Sequence, residues 1–181
     1  MSIGLFIYNN LTGLLPETRL YRLKVRLLGI CGLTVHETAR VVSSAKFRGD
    51  FKLSIGEDTF VGHDVLIAGG DCHISIGNNC DIGPRVTVVA GSHEVDMSGP
   101  HSAGTGCSKD IIIEDGVWVG ANSTVLGGVR IGEKSVIAAG SVVTQDIPHY
   151  VIAAGVPCRP VKRWNSVSRQ WEVIAKRHEV F

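Results

Sequence analysis

Between residues 55 and 143 an isoleucine or valine recurs at six-residue spacing, and that period limits the fold more than any other feature. The positions are Ile55, Val61 and Ile67, then Ile76, Ile82 and Val88, then, after a gap, Ile113, Val119, Val125, Ile131, Ile137 and Val143. A helix repeats every 3.6 residues and a plain strand every two, so a sustained six suits neither alone. It suits a short strand plus a turn, with the recurring side chain always aimed at one interior. Glycine follows the slot at Gly56, Gly62, Gly77, Gly83, Gly120 and Gly132, where it relieves crowding as the backbone bends. Four residues past the slot stand small side chains, among them Thr59, Cys80, Ser123, Ser135 and Ser141.

Three such units make a triangular coil of ~18 residues, and coils stack at the ~4.8 Å spacing of paired strands. Residues 55–72, 76–93, 113–130 and 131–148 each form one coil, and Val35, Val41, Phe47 and Leu53, also six apart, predict an earlier one. The expected architecture is an all-β parallel β-helix over residues 35–158, with a helical cap over 1–34 and a tail and helix over 159–181. In "LPETRLYRLKVRLLGICGL" the residues Leu20, Leu23 and Leu27 keep helical spacing with Arg19, Arg22 and Arg26 between them. That pattern reads as a short amphipathic helix closing the open end of the coil, with contact to a membrane surface as its other use. "SRQWEVIAKRHEVF" reads as a terminal helix that docks through Trp171 and Ile174.

Composition narrows the partners. A net charge of +1 gives no global case for nucleic acid. No apolar run approaches the ~20 residues of a membrane helix, and "MSIGLFIYNN" lacks the basic lead and cleavage site of a secretory signal. Five scattered cysteines without a CxxC indicate neither a disulfide frame nor a zinc site, and a reducing cytoplasm is the simplest setting.

The period is suspended over residues 91–112, "GSHEVDMSGPHSAGTGCSKDII". A coil does not need this excursion to be stable, and long loops on rigid scaffolds carry function more often than packing. It holds His93 where the chain leaves the stack. Imidazole, which titrates near ~6.5 in water, can remove a proton from a hydroxyl at neutral pH. Glu94 and Asp96 are each placed to orient that ring, and each is equally a solvated acid. His101 and the nearby glycines read as flexible loop.

"IGNNCDIGPRVTVV", "IIIEDGVWVGANSTVLGGVRIGEKSVIAAGSVVTQDIP" and "VIAAGVPCRPVK" resemble the hexapeptide-repeat acyltransferases, most closely the maltose, galactoside and nodulation-factor O-acetyltransferases. The short N-terminal segment leans toward the polysaccharide-biosynthesis members. The resemblance implies a left-handed coil, against the usual crossover preference, and a trimer with active sites between subunits. It also implies acetyl-coenzyme A as donor and a sugar hydroxyl as acceptor, with no metal. By the same resemblance His93 is the base, and His63 and Asp71 line the acceptor pocket, His63 standing where an amide residue is usual. Trp118, Ala121, Ala139, Ser141, Thr144 and Gln145 match a coenzyme lane, with the Ala121 amide near the thioester and Gln145 in place of a common lysine. Arg159 and Lys162, with Arg163 beside them, suit the nucleotide phosphates. Amino-sugar nucleotides and antibiotics are alternative acceptors within this class. From another class, a γ-type zinc carbonic anhydrase needs three histidines on one metal; His63, His93 and His101 lack that family's close pair.

Overall fold

Three columns of inward-pointing side chains run the length of the molecule, seen in a computed structural model that describes residues 3–174. Val35, Ile55, Ile76, Ile113 and Ile131 stand in register in the first. Val41, Val61, Ile82, Val119 and Ile137 form the second. Phe47, Ile67, Val88, Val125 and Val143 form the third. Apart from Val35, every member is at most 2% exposed.

The strands that carry them are short. The first three coils contain β1 (Thr34–Val35), β2 (Arg40–Val41), β3 (Lys46–Gly49), β4 (Lys52–Ile55), β5 (Phe60–Val61), β6 (Leu66–Gly69), β7 (His73–Ile76), β8 (Asp81–Ile82) and β9 (Thr87–Val89). A ribbon of β10 (Gly91–Val95) and β11 (Ala103–Ser108) then interrupts the winding. Two more coils follow as β12 (Ile111–Ile113), β13 (Trp118–Val119), β14 (Thr124–Leu126), β15 (Arg130–Ile131), β16 (Val136–Ile137) and β17 (Val142–Val143). The chain ends in β18 (Val151–Ala154), β19 (Arg159–Asn165) and β20 (Gln170–Val173). Each coil gives one strand to each of three sheets, ordered β1-β4-β7-β12-β15, β2-β5-β8-β13-β16-β18-β19-β20 and β3-β6-β9-β14-β17. The result is a left-handed parallel β-helix.

Many of its corners follow from the residue three places after an inward aliphatic side chain. Asp58, Asp64, Asn79, Arg85, Gly116, Asn122, Lys134, Gly140 and Tyr150 all have positive φ. Asp, Asn and Gly enter that left-handed region most readily. The amide there reaches the coil before it, as in Asn79 N–H to the Glu57 carbonyl at 2.7 Å and Arg85 N–H to that of His63 at 2.7 Å. The glycine after the slot has a different reason from the bend expected above. A Cβ on Gly120 would lie 2.6 Å from the Ala139 nitrogen of the next coil, so stacking excludes it. The small residues inside the corners close their own polarity: Thr59 donates to the Gly77 carbonyl at 2.7 Å and Ser135 to that of Pro148 at 2.6 Å.

Three expectations change. Leu53 pairs with Ile74, not with a slot residue, so Ile55 continues the first column. Additional residues at that corner lengthen β4 and β7, each of which buries two side chains, Leu53 with Ile55 and Ile74 with Ile76. The cap has two helices, α1 (Ile3–Leu11) and α2 (Tyr21–Ile30). α2 buries Lys24, Val25 and Leu28, and of the expected stripe only Leu27 packs, Leu20 and Leu23 being exposed. The Lys24 ammonium sets that rotation by donating to the Glu17 carbonyl at 2.8 Å and the Ser43 hydroxyl at 3.1 Å. α1 closes the third column, with Tyr8 edge-on to Phe47 at 5.7 Å and Asn9 bonded to both backbone groups of Phe47.

The expected C-terminal helix is, through Val173, an antiparallel hairpin; residues 175–181 lie outside the described residues. The last coil leaves a sheet edge whose backbone groups need partners, and β19 supplies them against β18. Trp164 and Trp171 stand directly opposite, 5.3 Å apart, and this cross-strand aromatic pair outweighs helical propensity.

Gly49 combines φ +117 with a hypothetical Cβ only 1.8 Å from the Gly69 oxygen, whereas Gly13 has nothing within 4 Å. Gly49→Ala should therefore lower unfolding stability by about 2–3 kcal/mol, and Gly13→Ala by less than about 0.5 kcal/mol. Urea titration of both variants reads the difference, and equal midpoints would contradict the stacking account.

Candidate active site

The excursion is an ordered ribbon, not a flexible loop. Gly91 pairs with Ser108, Ser92 with Cys107 and His93 with Gly106, and the register slips between His93 and Val95. Its base is tied to the coil, because the Ser108 hydroxyl accepts the Gly70 amide at 3.1 Å and the Ala90 carbonyl accepts that of Lys109 at 3.1 Å. At the tip Asp96 accepts bonds from the Ser98 hydroxyl at 2.6 Å and the Ser98 amide at 2.8 Å. Those bonds hold its carboxyl below the ordinary value.

His93 is exposed on β10, and its Nδ1 lies 2.9 Å from the Gly104 carbonyl oxygen. A carbonyl only accepts, so in the neutral ring Nδ1 carries the proton and Nε2 keeps its lone pair. The slip in register brings that carbonyl to the ring. The orienting group is thus a backbone oxygen of the opposite strand, and Asp96 is engaged in its own turn. Desolvation and then Glu94 push the Cys107 thiol up from the ordinary value.

The ring stands between two clefts. One, of about 460 Å³ and open to solvent, is lined by His93 together with Asp71, Gly70, Ser92 and Ser108. The other, of about 260 Å³, joins His93 to Lys109, Leu126 and Gly127. Asp71 therefore shares a cleft with His93, and His63 does not. His63 sits at the turn between β5 and β6, at the other end of the same sheet, with Nδ1 3.5 Å from a Glu17 oxygen. Six extended residues separate those corners, on the order of 15–20 Å. Among the described residues no group of three or more His, Cys, Asp or Glu side chains could hold a metal ion. The exposed His101 is at the ribbon tip.

The other named residues fall into sets. Ala121 and Ala139 lie at the same corner as His63, on successive coils, and the Ala121 carbonyl accepts the Gly140 amide at 2.9 Å. Among the described residues the Ala121 N–H has no acceptor. Trp118, just before that corner, is 55% exposed. Thr144 and Gln145 are exposed past β17, at the corner from which the ribbon leaves two coils earlier in the sequence. Arg159 and Lys162 are exposed on β19, the Arg159 guanidinium bonding the Cys158 carbonyl at 2.9 Å. Ser141 is a correction: it is buried, its hydroxyl donates to the Ala138 carbonyl at 2.7 Å and accepts the Gly155 amide at 3.1 Å, and its side chain cannot line a lane.

Within one chain, then, His93 and the Ala121 amide are at opposite ends of one sheet and cannot touch the same small group. Sequence reasoning missed Gly104 and Ser108, which sit in a stretch read as flexible. The alternation of Thr105 and Cys107 with glycines was the only strand signal there.

The family profile described as "Hexapeptide repeat of succinyl-transferase" matches residues 52–84 and 110–145. The galactoside O-acetyltransferase of Escherichia coli is 36% identical over 138 residues, covering 76% of this chain and 67% of that protein. A solved galactoside acetyltransferase in complex with coenzyme A superposes with a TM-score of 0.69 at 29% identity, over 99% of this chain and 92% of that one. The hexapeptide-repeat acetyltransferase VCA0836 of Vibrio cholerae, complexed with acetyl-coenzyme A, gives 0.69 at 28% identity, over 90% and 88%.

Because one hydroxyl ties the ribbon base to the coil, Ser108→Ala should speed amide exchange at Gly70 about 2–10-fold, the equivalent of one neutral hydrogen bond. Hydrogen exchange followed by NMR measures this. Unaltered protection at Gly70 would show that the ribbon is held elsewhere.

Proposed function

Since the chain belongs to the hexapeptide-repeat acyltransferases, we propose that it moves the acetyl group of acetyl-coenzyme A to a sugar hydroxyl, with His93 as general base. The observation that carries this reading is the pinned, exposed imidazole between two clefts, with Nε2 free to accept a proton.

The transfer is direct. His93 Nε2 takes the acceptor's hydroxyl proton as the oxygen attacks the thioester carbonyl. The oxyanion that forms is stabilised by a fixed N–H donor, the role assigned to Ala121. Collapse expels the coenzyme thiolate, which takes the proton back from the imidazolium. Asp71 lies in the cleft with the base and accepts bonds from acceptor hydroxyls.

Because one chain holds His93 and Ala121 far apart, the complete site takes the ribbon of one copy and the Ala121 corner of a neighbour. A closed threefold ring satisfies every copy equally. The outward face of the sheet between those corners supports such contact, since Leu66, Ala68, Val89, Leu126 and Val142 lie half-buried along it. Trp118, Ala139 and Thr144 flank the pantetheine arm, and Arg159 and Lys162 meet the phosphates. The open cleft beside Asp71 suits a saccharide that extends beyond one ring, which favours a surface polysaccharide or its precursor as the acceptor. Five unpaired cysteines fit a reducing cytoplasm.

His93→Asn should lower kcat by about 10²–10⁴-fold while coenzyme A affinity stays within about threefold, because the ring touches the reacting atoms and not the nucleotide. Thiol release from acetyl-coenzyme A across hydroxyl and amine sugars, with calorimetry for binding, tests both halves; undiminished turnover removes the assignment. Gln145→Lys should lower KM for acetyl-coenzyme A about 2–5-fold at low salt, the magnitude of an exposed ion pair, and added salt should erase the gain.

A further inference from the structure

The first thirty residues hold an unusual share of exposed large apolar side chains. α1 is apolar on two sides: Leu5 and Tyr8 face the coil, while Ile3, Phe6, Ile7 and Leu11 are all at least 50% exposed. At 100° per residue those four span an arc of about 140°, a continuous outward stripe on a helix with no charged residue. Leu14 extends it, and α2 adds Leu23 and Ile30 on its own outward side.

The charges around this stripe have one sign. Arg19, Arg22 and Arg26 are exposed, Lys24 is buried, and the one acid in residues 1–34, Glu17, is bonded to the amide and hydroxyl of Ser44. Two copies meeting through this face would set guanidinium groups against one another with no acid to offset them. Apolar side chains beside unpaired arginines instead match the boundary between acyl chains and anionic headgroups.

We propose that the N-terminal cap is a docking surface for an anionic lipid bilayer. The protein lies on the membrane and does not span it, since among the described residues no helix is long and apolar enough to cross. α1 covers β3, and the ribbon leaves the coil after β9, two ladder steps away. Docking therefore holds the His93 clefts within about 10–15 Å of the cap. In the threefold assembly proposed above, parallel axes carry three such patches on one end, which multiplies weak contacts into stable residence. The docking surface itself stands on the cap alone and is independent of the reaction.

Co-sedimentation of the full chain with vesicles tests it, using phosphatidylcholine alone and phosphatidylcholine with about a third phosphatidylglycerol. The chain should partition onto the anionic vesicles, at least about tenfold more weakly onto the neutral ones, and less with added salt. Arg22→Gln/Arg26→Gln should reduce partitioning about 25-fold, near fivefold per arginine, and Phe6→Glu/Ile7→Glu should abolish it, with circular dichroism and oligomeric state unchanged. Three results overturn the proposal: no partitioning of the wild-type chain, full partitioning of both variants, or a changed oligomeric state in Phe6→Glu/Ile7→Glu, which would make the stripe a contact between subunits.

Discussion

Backbone pairing at a fixed strand spacing is the constraint from which the rest follows. Each coil must lie in register with its neighbours, because amides along its faces donate to carbonyls of the next coil and corner amides donate to those of the coil before. With a separation of ~4.8 Å there is no room for a Cβ where stacked turns approach, which explains Gly120 and Gly132. The same separation stacks Ile on Ile and Val on Val, so a narrow interior fills without large aromatic residues. Only at the open N-terminal end does a wide ring, Phe47, enter a column, and there Tyr8 covers it.

A rigid spool has little chemistry of its own, since apart from Phe47 its column residues are aliphatic and the corner hydroxyls of Thr59, Ser123, Ser135 and Ser141 are hydrogen-bonded. The exposed imidazole of His93 stands where the winding is suspended. The ribbon lifts His93 clear of the stack, and its return strand supplies the Gly104 carbonyl that fixes the tautomer. Two backbone features stand at these corners: a carbonyl beneath the His93 imidazole and, among the described residues, an Ala121 amide with no acceptor.

The two ends of the coil are closed by different means. At the start, helices cover the inward residues and the buried Lys24 fixes how α2 is turned. At the finish, the hairpin of β19 and β20 extends a sheet edge. The first solution leaves a helical stripe of apolar side chains on its outer side, while the second leaves Val156, Val167 and Val173 exposed around a hairpin.

The twelve slots and the excursion were legible in residue order because they depend on a local rule, an aliphatic side chain inward every sixth residue, whereas the left-handed residues at the corners emerged only in the structure. That His93 and Asp71 line one cleft came from the fold, which brings the end of one coil beside the start of the ribbon. Gly104 was not legible, because a backbone carbonyl leaves no trace in the identity of its residue. Ser141 looked like a lane residue and is an interior bond, since sequence does not say which way a small hydroxyl points. The face of α2, the terminal hairpin and the distance between His93 and Ala121 were decided only in three dimensions, where they depend on unpaired edges and on stacking between residues far apart in the chain. Sequence alone determined that this chain winds and where it stops winding; tertiary structure decided what the interruption faces, because only folding sets one coil's corner against another.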